Sequence, residues 1–474
     1  MVFSSLIFIY LFLPITFILY FFAARSIKQK NLVLLIMSLF FYAWGEPKWI
    51  LLMLISTAVE YFGAIVVDTY KEKNPILAKC ALGVSVSVAL LFLFIFKYYD
   101  FFTFNFNGIF GTEIKLLGLT LPIGISFYTF QTITYIVDVY RGKAEVQRSY
   151  PRLLLYVSMF PQLIAGPIVK YVDVEKQLTS RTYNGRKVGA GLYRFLIGLT
   201  KKAIFANIAG ELATQFLDGE LADLSVVGAW IGILSYTLQI YFDFSAYSDM
   251  AIGLGKIFGF DYPENFNYPY IAKSVSDFWK RWHISLTTFF REYLYIPLGG
   301  NRKHHVLNFF IVWAFTGLWH GASWNFILWG LYFYVLLVLE RLFLGNFLER
   351  IPAAFGHIYT ILMVVIGWVF FYFDDMTRLK SFFWIMFGIN GNSFIDITDK
   401  SVFINHILFF IVAIVAVTPV AQLIKKYFLK LAEKNKTTAL VCDVSLVASA
   451  LFLLLIDTAA VVGSTYNPFL YFRF

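Results

Sequence analysis

One histidine stands inside T-G-L-W-H-G-A-S-W-N at positions 316–325, with Trp319 and Trp324 to either side, in an apolar stretch that begins near Leu307. An ionisable side chain at membrane depth is costly enough to mark a functional site by default. Imidazole titrates near neutrality, so His320 could take up and return a proton there at modest cost, as general acid–base chemistry requires. The competing reading is a polar residue that bonds across helices and only stabilises packing. Helical spacing puts Thr316 and Trp324 on the face of His320, and Gly317 and Gly321 would let another helix or a substrate approach closely. A histidine with small neighbours is more accessible than one walled in by leucine, which favours chemistry.

A second histidine, His283, lies in D-F-W-K-R-W-H-I-S-L at 277–286. It is either an interfacial residue bonded to water and headgroups or a second polar group of the same cavity, placing substrate or assisting proton transfer. Around it Lys273, Lys280, Arg281, Arg291, Arg302 and Lys303 are snorkelling or orienting charges, or else they attract a phosphate-bearing cytoplasmic donor such as a coenzyme A thioester. Trp319, Trp324 and Asn325, beside His320 in the chain, complete this candidate donor-binding set with Lys280, Arg281 and Arg291. D-F-S-A-Y-S-D at 243–249 places two carboxylates at the expected end of a span, where capping explains them. The tail F-L-Y-F-R-F at 469–474 is an aromatic interface anchor, or it folds back into a cavity mouth and presents the Tyr471 phenol. Cys80 and Cys442 have no partner at metal-binding or CxxC spacing, so neither a disulfide nor a metal site is expected. No G-x-S-x-G, Walker A, HExxH or GxGxxG motif stands in a suitable context.

These residues must be held by membrane helices. The chain is 59% hydrophobic, 20% aromatic and only 14% charged, far outside the range of soluble domains. Apolar stretches long enough to cross a bilayer recur at about 3–23, 32–44, 50–67, 76–96 and 121–139, with the first read as retained rather than as a cleaved leader. Basic loops at 25–30, 71–79 and 141–152 put the amino terminus outside by the positive-inside rule. The same interspersed pattern explains the net charge of +10 without nucleic acid.

Beyond Arg152 the alternation fails. Residues 153–169 are apolar but contain Pro161, Gly166 and Pro167 between basic flanks, which predicts a segment entering and leaving on one side against protein or a water-filled cavity. Spans follow at about 189–216 and 226–242. Within 275–293, Val275, Phe278, Trp279, Trp282, Leu286, Phe289, Phe290 and Tyr293 recur at helical spacing, which predicts one amphipathic interfacial helix. Spans at about 307–323, 326–339, 358–373, 402–423 and 438–461 bring the total to about twelve. No internal repeat is visible, which counts against transporters built from duplicated halves.

Several stretches in order, F-Y-A-W-G at 41–45, L-P-I-G-I-S-F-Y-T-F at 121–130, F-P-Q-L-I-A-G-P-I at 160–168, D-F-S-A-Y-S-D, F-W-K-R-W-H-I-S-L at 278–286, R-E-Y-L-Y-I-P-L-G-G-N at 291–301 and G-L-W-H-G-A-S-W at 317–324, resemble the membrane-bound O-acyltransferase superfamily and its alginate O-acetylation branch. The resemblance implies a ring of about 11–12 tilted transmembrane helices, with re-entrant and interfacial amphipathic helices, around a thin centre where a cytoplasmic and an extracytoplasmic funnel nearly meet. It matches His320 to the family's catalytic histidine and His283 to its second one. It also implies that Tyr471 carries the acyl group, although Arg473 departs from the polar residue usual in such tails.

The sequence therefore predicts an all-α polytopic protein of one membrane domain over 1–474: amino-terminal spans at 1–140, a core at 141–345 with both histidines, and carboxy-terminal spans and tail at 346–474. The expected location is the bacterial cytoplasmic membrane, among its lipids. The expected activity is O-acetyl transfer from cytoplasmic acetyl-CoA to an extracytoplasmic polysaccharide, with no bound cofactor or metal. His320 would be the general base, and an SGNH-hydrolase-like partner outside would complete the transfer. The reading from another class is a transporter or flippase for an acylated lipid or small anion, without covalent chemistry.

Overall fold

A chain this apolar can satisfy its backbone in lipid only as helices. The computed structural model describes residues 1–182, 184–433, 435–464 and 469–470, and shows helices without a strand among the described residues. Five helices are long and apolar enough to cross a membrane: Ile50–Tyr70, Pro75–Phe110, Trp324–Arg350, Ala353–Tyr372 and Thr437–Gly463. The pair Ile397–Asn405 and Ile407–Ala416, bent by 58°, makes a sixth if it is one broken span. Several other expected spans are shorter helices or carry more polar residues, such as the 16-residue helices Ile125–Tyr140 and His305–His320. The protein is a multi-pass membrane protein.

One compact unit comprises Met1–Phe195 and Tyr247–Glu264. Its Ile125–Tyr140 helix is buried on all sides except at Val137 and Tyr140. The break expected at 153–169 is present. The helix Tyr150–Ser158 stops where Met159 leaves helical backbone, Phe160–Leu163 adds one turn, and Gly166 takes a φ of 109°. Every residue from Leu153 to Val169 is buried, so the irregular backbone lies against protein, as its unsatisfied polar groups require. Arg181 ties distant parts of this unit together, donating to the Tyr20 hydroxyl at 2.9 Å, the Phe258 carbonyl at 3.0 Å and Asn31 Oδ1 at 2.7 Å.

The second unit comprises Leu196–Ala246 and Asn265–Phe474. Its centre is a cluster of buried aromatic side chains that includes Trp279, Trp282, Trp313, Trp329, Phe333, Trp368 and Phe371. Large aromatics bury much area each and lock their orientation through edge-to-face contacts, so this cluster is a rigid seat for anything polar placed in it.

Two expectations need correction. The span read as 226–242 is one helix, Val226–Ile257, so Asp243 and Asp249 lie within it and cap nothing. Each instead meets a basic residue of its own unit: Lys202 Nζ is 2.7 Å from Asp243, and Arg194 Nη2 is 2.8 Å from Asp249. The amphipathic helix expected over 275–293 is broken in two, Val275–Arg281 and Ile284–Phe290, and the break falls at His283.

Helix crossings in the first unit depend on missing side chains. A Cβ at Gly253 would lie 2.6 Å from the Gly191 carbonyl oxygen and 2.7 Å from the Phe195 nitrogen, whereas one at Gly83 would meet nothing within 4 Å. Gly253→Ala should therefore lower thermal stability in detergent, by about 1–3 kcal/mol from overpacking. Gly83→Ala should leave it unchanged or raise it by up to about 1 kcal/mol. Equal effects of the two would contradict this crossing.

Candidate active site

The break at His283 builds the site. Trp282 turns extended, at φ −99° and ψ 128°, and His283 takes φ 44° and ψ 53°. This left-handed conformation is uncommon outside glycine but enriched several-fold in Asn, Asp and His. The donors freed by the break go to Asn265, while the Arg281 carbonyl accepts the Asn267 N–H at 2.9 Å. The Asn265 backbone carbonyl accepts the Ile284 N–H at 2.9 Å, and its Oδ1 accepts the Ser285 N–H at 3.2 Å and the Ser285 hydroxyl at 2.8 Å. The same Oδ1 lies 3.2 Å from His283 Nδ1.

That geometry fixes a tautomer. A backbone N–H can only donate, so the Asn265 atom facing Ser285 is the carbonyl oxygen, and His283 Nδ1 must carry a hydrogen. The neutral ring then keeps its lone pair on Nε2. Burial pushes the His283 imidazole down to about 3, opposed in part by a hydrogen bond to its own backbone, so it is neutral at physiological pH.

His320 is the last residue of the His305–His320 helix, and Gly321 continues in extended backbone. Its ring meets Trp319, Trp329 and Phe371 edge-on, at centroid distances of 4.8, 5.0 and 5.1 Å. It keeps 8% of its surface accessible where Trp329 keeps 1%, so the aromatic wall lines the imidazole without closing over it. Trp319 also lies 6.0 Å from His283. One indole thus touches both histidines, 37 residues apart in sequence, and the two belong to one site.

The surroundings are strapped together. Glu340 sends its carboxylate to the start of the short Val275–Arg281 helix, accepting the Val275 N–H at 2.7 Å and the Ser276 N–H at 2.8 Å. Tyr270 donates to the Thr237 carbonyl at 2.6 Å, and His357 Nδ1 lies 3.0 Å from the Ala272 carbonyl. Gly317 and Gly321 do admit a close neighbour, and that neighbour is Phe326, whose backbone and ring occupy the space their Cβ atoms would take.

The other sequence candidates divide. Trp319 is buried between the histidines. Asn325 is buried and donates to the Phe370 carbonyl at 3.1 Å, which makes it a helix tie. Trp324 does not share a face with His320, because the helix ends at His320, and its side chain is 52% exposed. Arg281 is engaged by Asp277 at 2.9 Å and by the Asn267 carbonyl. Lys280 and Arg291 are exposed. Tyr471 lies outside the described residues, while Phe469 and Leu470 just before it are buried. Asn265, Trp329, Phe371 and Glu340 were not singled out from sequence. The only trace of Asn265 is a polar residue set among aromatics in Y-P-E-N-F-N-Y-P-Y at 262–270.

The model of the membrane-bound O-acyltransferase family matches residues 144–383, a stretch that contains both histidines. The chain is 41% identical over 386 residues to the probable alginate O-acetylase AlgI of Pseudomonas aeruginosa, covering 79% of this chain and 73% of that protein. It is 35% identical over 449 residues to the peptidoglycan O-acetyltransferase of Helicobacter pylori, covering 86% and 84%. To the teichoic acid D-alanyltransferase of Bacillus subtilis it is 30% identical over 237 residues, covering 47% and 59%.

Two predictions test the site's construction. The unfolded chain protonates His283 near pH 6.5, while the folded chain resists until about pH 3. Stability from this residue is therefore full above the unfolded value and falls as pH drops through that window. His283→Asn, which tolerates the left-handed backbone, should fold and should lose less thermal stability than wild type between about pH 7 and about pH 5. An equally steep loss would contradict the buried neutral imidazole. Glu340→Ala leaves two helix-start N–H groups without their acceptor and should cost about 1.5–3 kcal/mol in thermal unfolding; an unchanged midpoint would show that the strap carries nothing.

Proposed function

Since the chain belongs to the membrane-bound O-acyltransferase family, we propose that it takes acetyl from cytoplasmic acetyl-CoA and delivers it outside for O-acetylation of a polysaccharide or cell-wall glycan. The observation that carries this reading is the pairing of His320 and His283 across Trp319. Relatives named for alginate and for peptidoglycan support the acceptor class, and both names specify acetyl rather than a longer chain. The setting is the bacterial cytoplasmic membrane, with the amino terminus outside.

In this mechanism His320 is the general base. It removes the proton from an attacking hydroxyl as the oxygen adds to the thioester carbonyl; the C–S bond then breaks, and the departing thiolate takes the proton back from the imidazolium. His283, with Nδ1–H held by Asn265, offers Nε2 as an acceptor that orients the hydroxyl. Trp319 aligns both rings. The exposed Lys280 and Arg291 attract the phosphates of the donor on the cytoplasmic side.

Tyr471 is the proposed first acceptor. The leaving groups then run from a thiol near pKa 8.5 to a phenol near 10 and on to a far less acidic sugar hydroxyl, so each transfer proceeds downhill. An extracytoplasmic SGNH-hydrolase-like partner completes delivery to the glycan.

Purified protein with radiolabelled acetyl-CoA tests the reading. His320→Ala should slow acetyl transfer by about 100-fold or more, and a normal rate would end the assignment. Peptide mapping should find label on the tail peptide containing Tyr471; acceptor acetylated at full rate without such label would remove the relay and leave the base.

A further inference from the structure

The buried ion pair within the second unit has a third member. Asp243 and Lys202 are 2.7 Å apart, with side chains only 1% and 5% exposed. The other carboxylate oxygen of Asp243 accepts the backbone N–H of Leu470 at 2.8 Å. Leu470 is 2% exposed and belongs to the same apolar cluster as Trp279, Trp282, Trp329, Trp368 and Phe371, three of which line or back the His320 ring; Phe469 is 8% exposed.

Stability alone does not account for this arrangement. Taking two charges out of water seldom stabilises a fold more than two apolar side chains of the same volume would. A buried ion pair is better understood where its geometry specifies something. Here it presents one carboxylate oxygen to one N–H, 227 residues further along the chain, and a hydrogen bond to an ionised acceptor is roughly twice as strong as a neutral one. Lys202 reaches Asp243 from Lys201–Ala206, a widened helical turn, a feature frequent at functional sites.

We propose that Asp243, held by Lys202, is a positioning residue that anchors the carboxy-terminal tail at Leu470 and so sets the place from which the next residue reacts. The inference rests on the reading of Tyr471 as acyl carrier for its purpose, though not for the anchor itself. The proposed nucleophile is the next residue in the chain after the anchored one. A misplacement of about 1 Å can cost about 100-fold in rate.

The test uses full-length protein in detergent and two variants that avoid stranding a buried charge. The double variant Lys202→Met/Asp243→Leu removes both charges together. Leu470→Pro removes the donated N–H together with the buried leucine side chain and leaves the ion pair intact, so Leu470→Ala, which keeps the N–H, serves as the control for the lost side chain. Carboxypeptidase release of Phe474 and Arg473 reads the anchor, and acetyl turnover reads its purpose. Both variants should release these residues about tenfold faster or more than wild type. Both should also lose kcat while KM for acetyl-CoA holds and the thermal unfolding midpoint stays near wild type, the last excluding a loss of folded enzyme as the cause. Tyr471→Phe should lose the acetyl label yet keep wild-type protection of the tail. Unchanged release in both variants overturns the proposal. Normal transfer by Tyr471→Phe would sink the relay reading separately, and the release rates would still decide for or against the anchor.

Discussion

A helix interrupted inside an apolar protein must hand every freed N–H, carbonyl and side-chain polar group to some other part of the chain, since no water is at hand to take them. In this protein Asn265 meets that constraint for the freed donors, and the Asn267 N–H meets it for the Arg281 carbonyl. The carbonyl and the amide oxygen of Asn265 take up the donors released where the Val275–Arg281 and Ile284–Phe290 helices part. The interruption aims His283, and the same amide oxygen settles which of its nitrogens holds the hydrogen.

The aromatic cluster does complementary work. Indole and phenyl rings have stiff, few-rotamer side chains and prefer edge-to-face contacts. Trp319, Trp329 and Phe371 therefore define the plane of the His320 ring more narrowly than leucines would. They also hold the local dielectric low, which strengthens the hydrogen bonds made there. Two buried carboxyl groups in this setting are each held by partners: Glu340 by N–H groups at the start of the Val275–Arg281 helix, and Asp243 between Lys202 and the Leu470 N–H.

The chain belongs to the membrane-bound O-acyltransferase family. The relatives named for alginate, peptidoglycan and teichoic acid differ in acceptor and even in acyl group.

Much of this was legible in the residues alone. The apolar runs predicted helices, Pro161 and Gly166 predicted the broken segment at 153–169, and a lone imidazole between tryptophans pointed to His320, because side-chain type and local spacing carry that information. The end of the Val226–Ile257 helix was misplaced because Asp243 and Asp249 look like surface residues until Lys202 and Arg194 are brought beside them. The break at His283 was invisible because apolar spacing runs through it unchanged, and Asn265, which takes up its freed donors, lies 18 residues upstream. Composition and periodicity thus determined the class of the protein and singled out His320 as the candidate for its chemistry. Which polar atoms satisfy one another, and hence where both histidines and the tail are held, was decided by tertiary structure, since those partners lie up to 227 residues apart and no local pattern encodes their meeting.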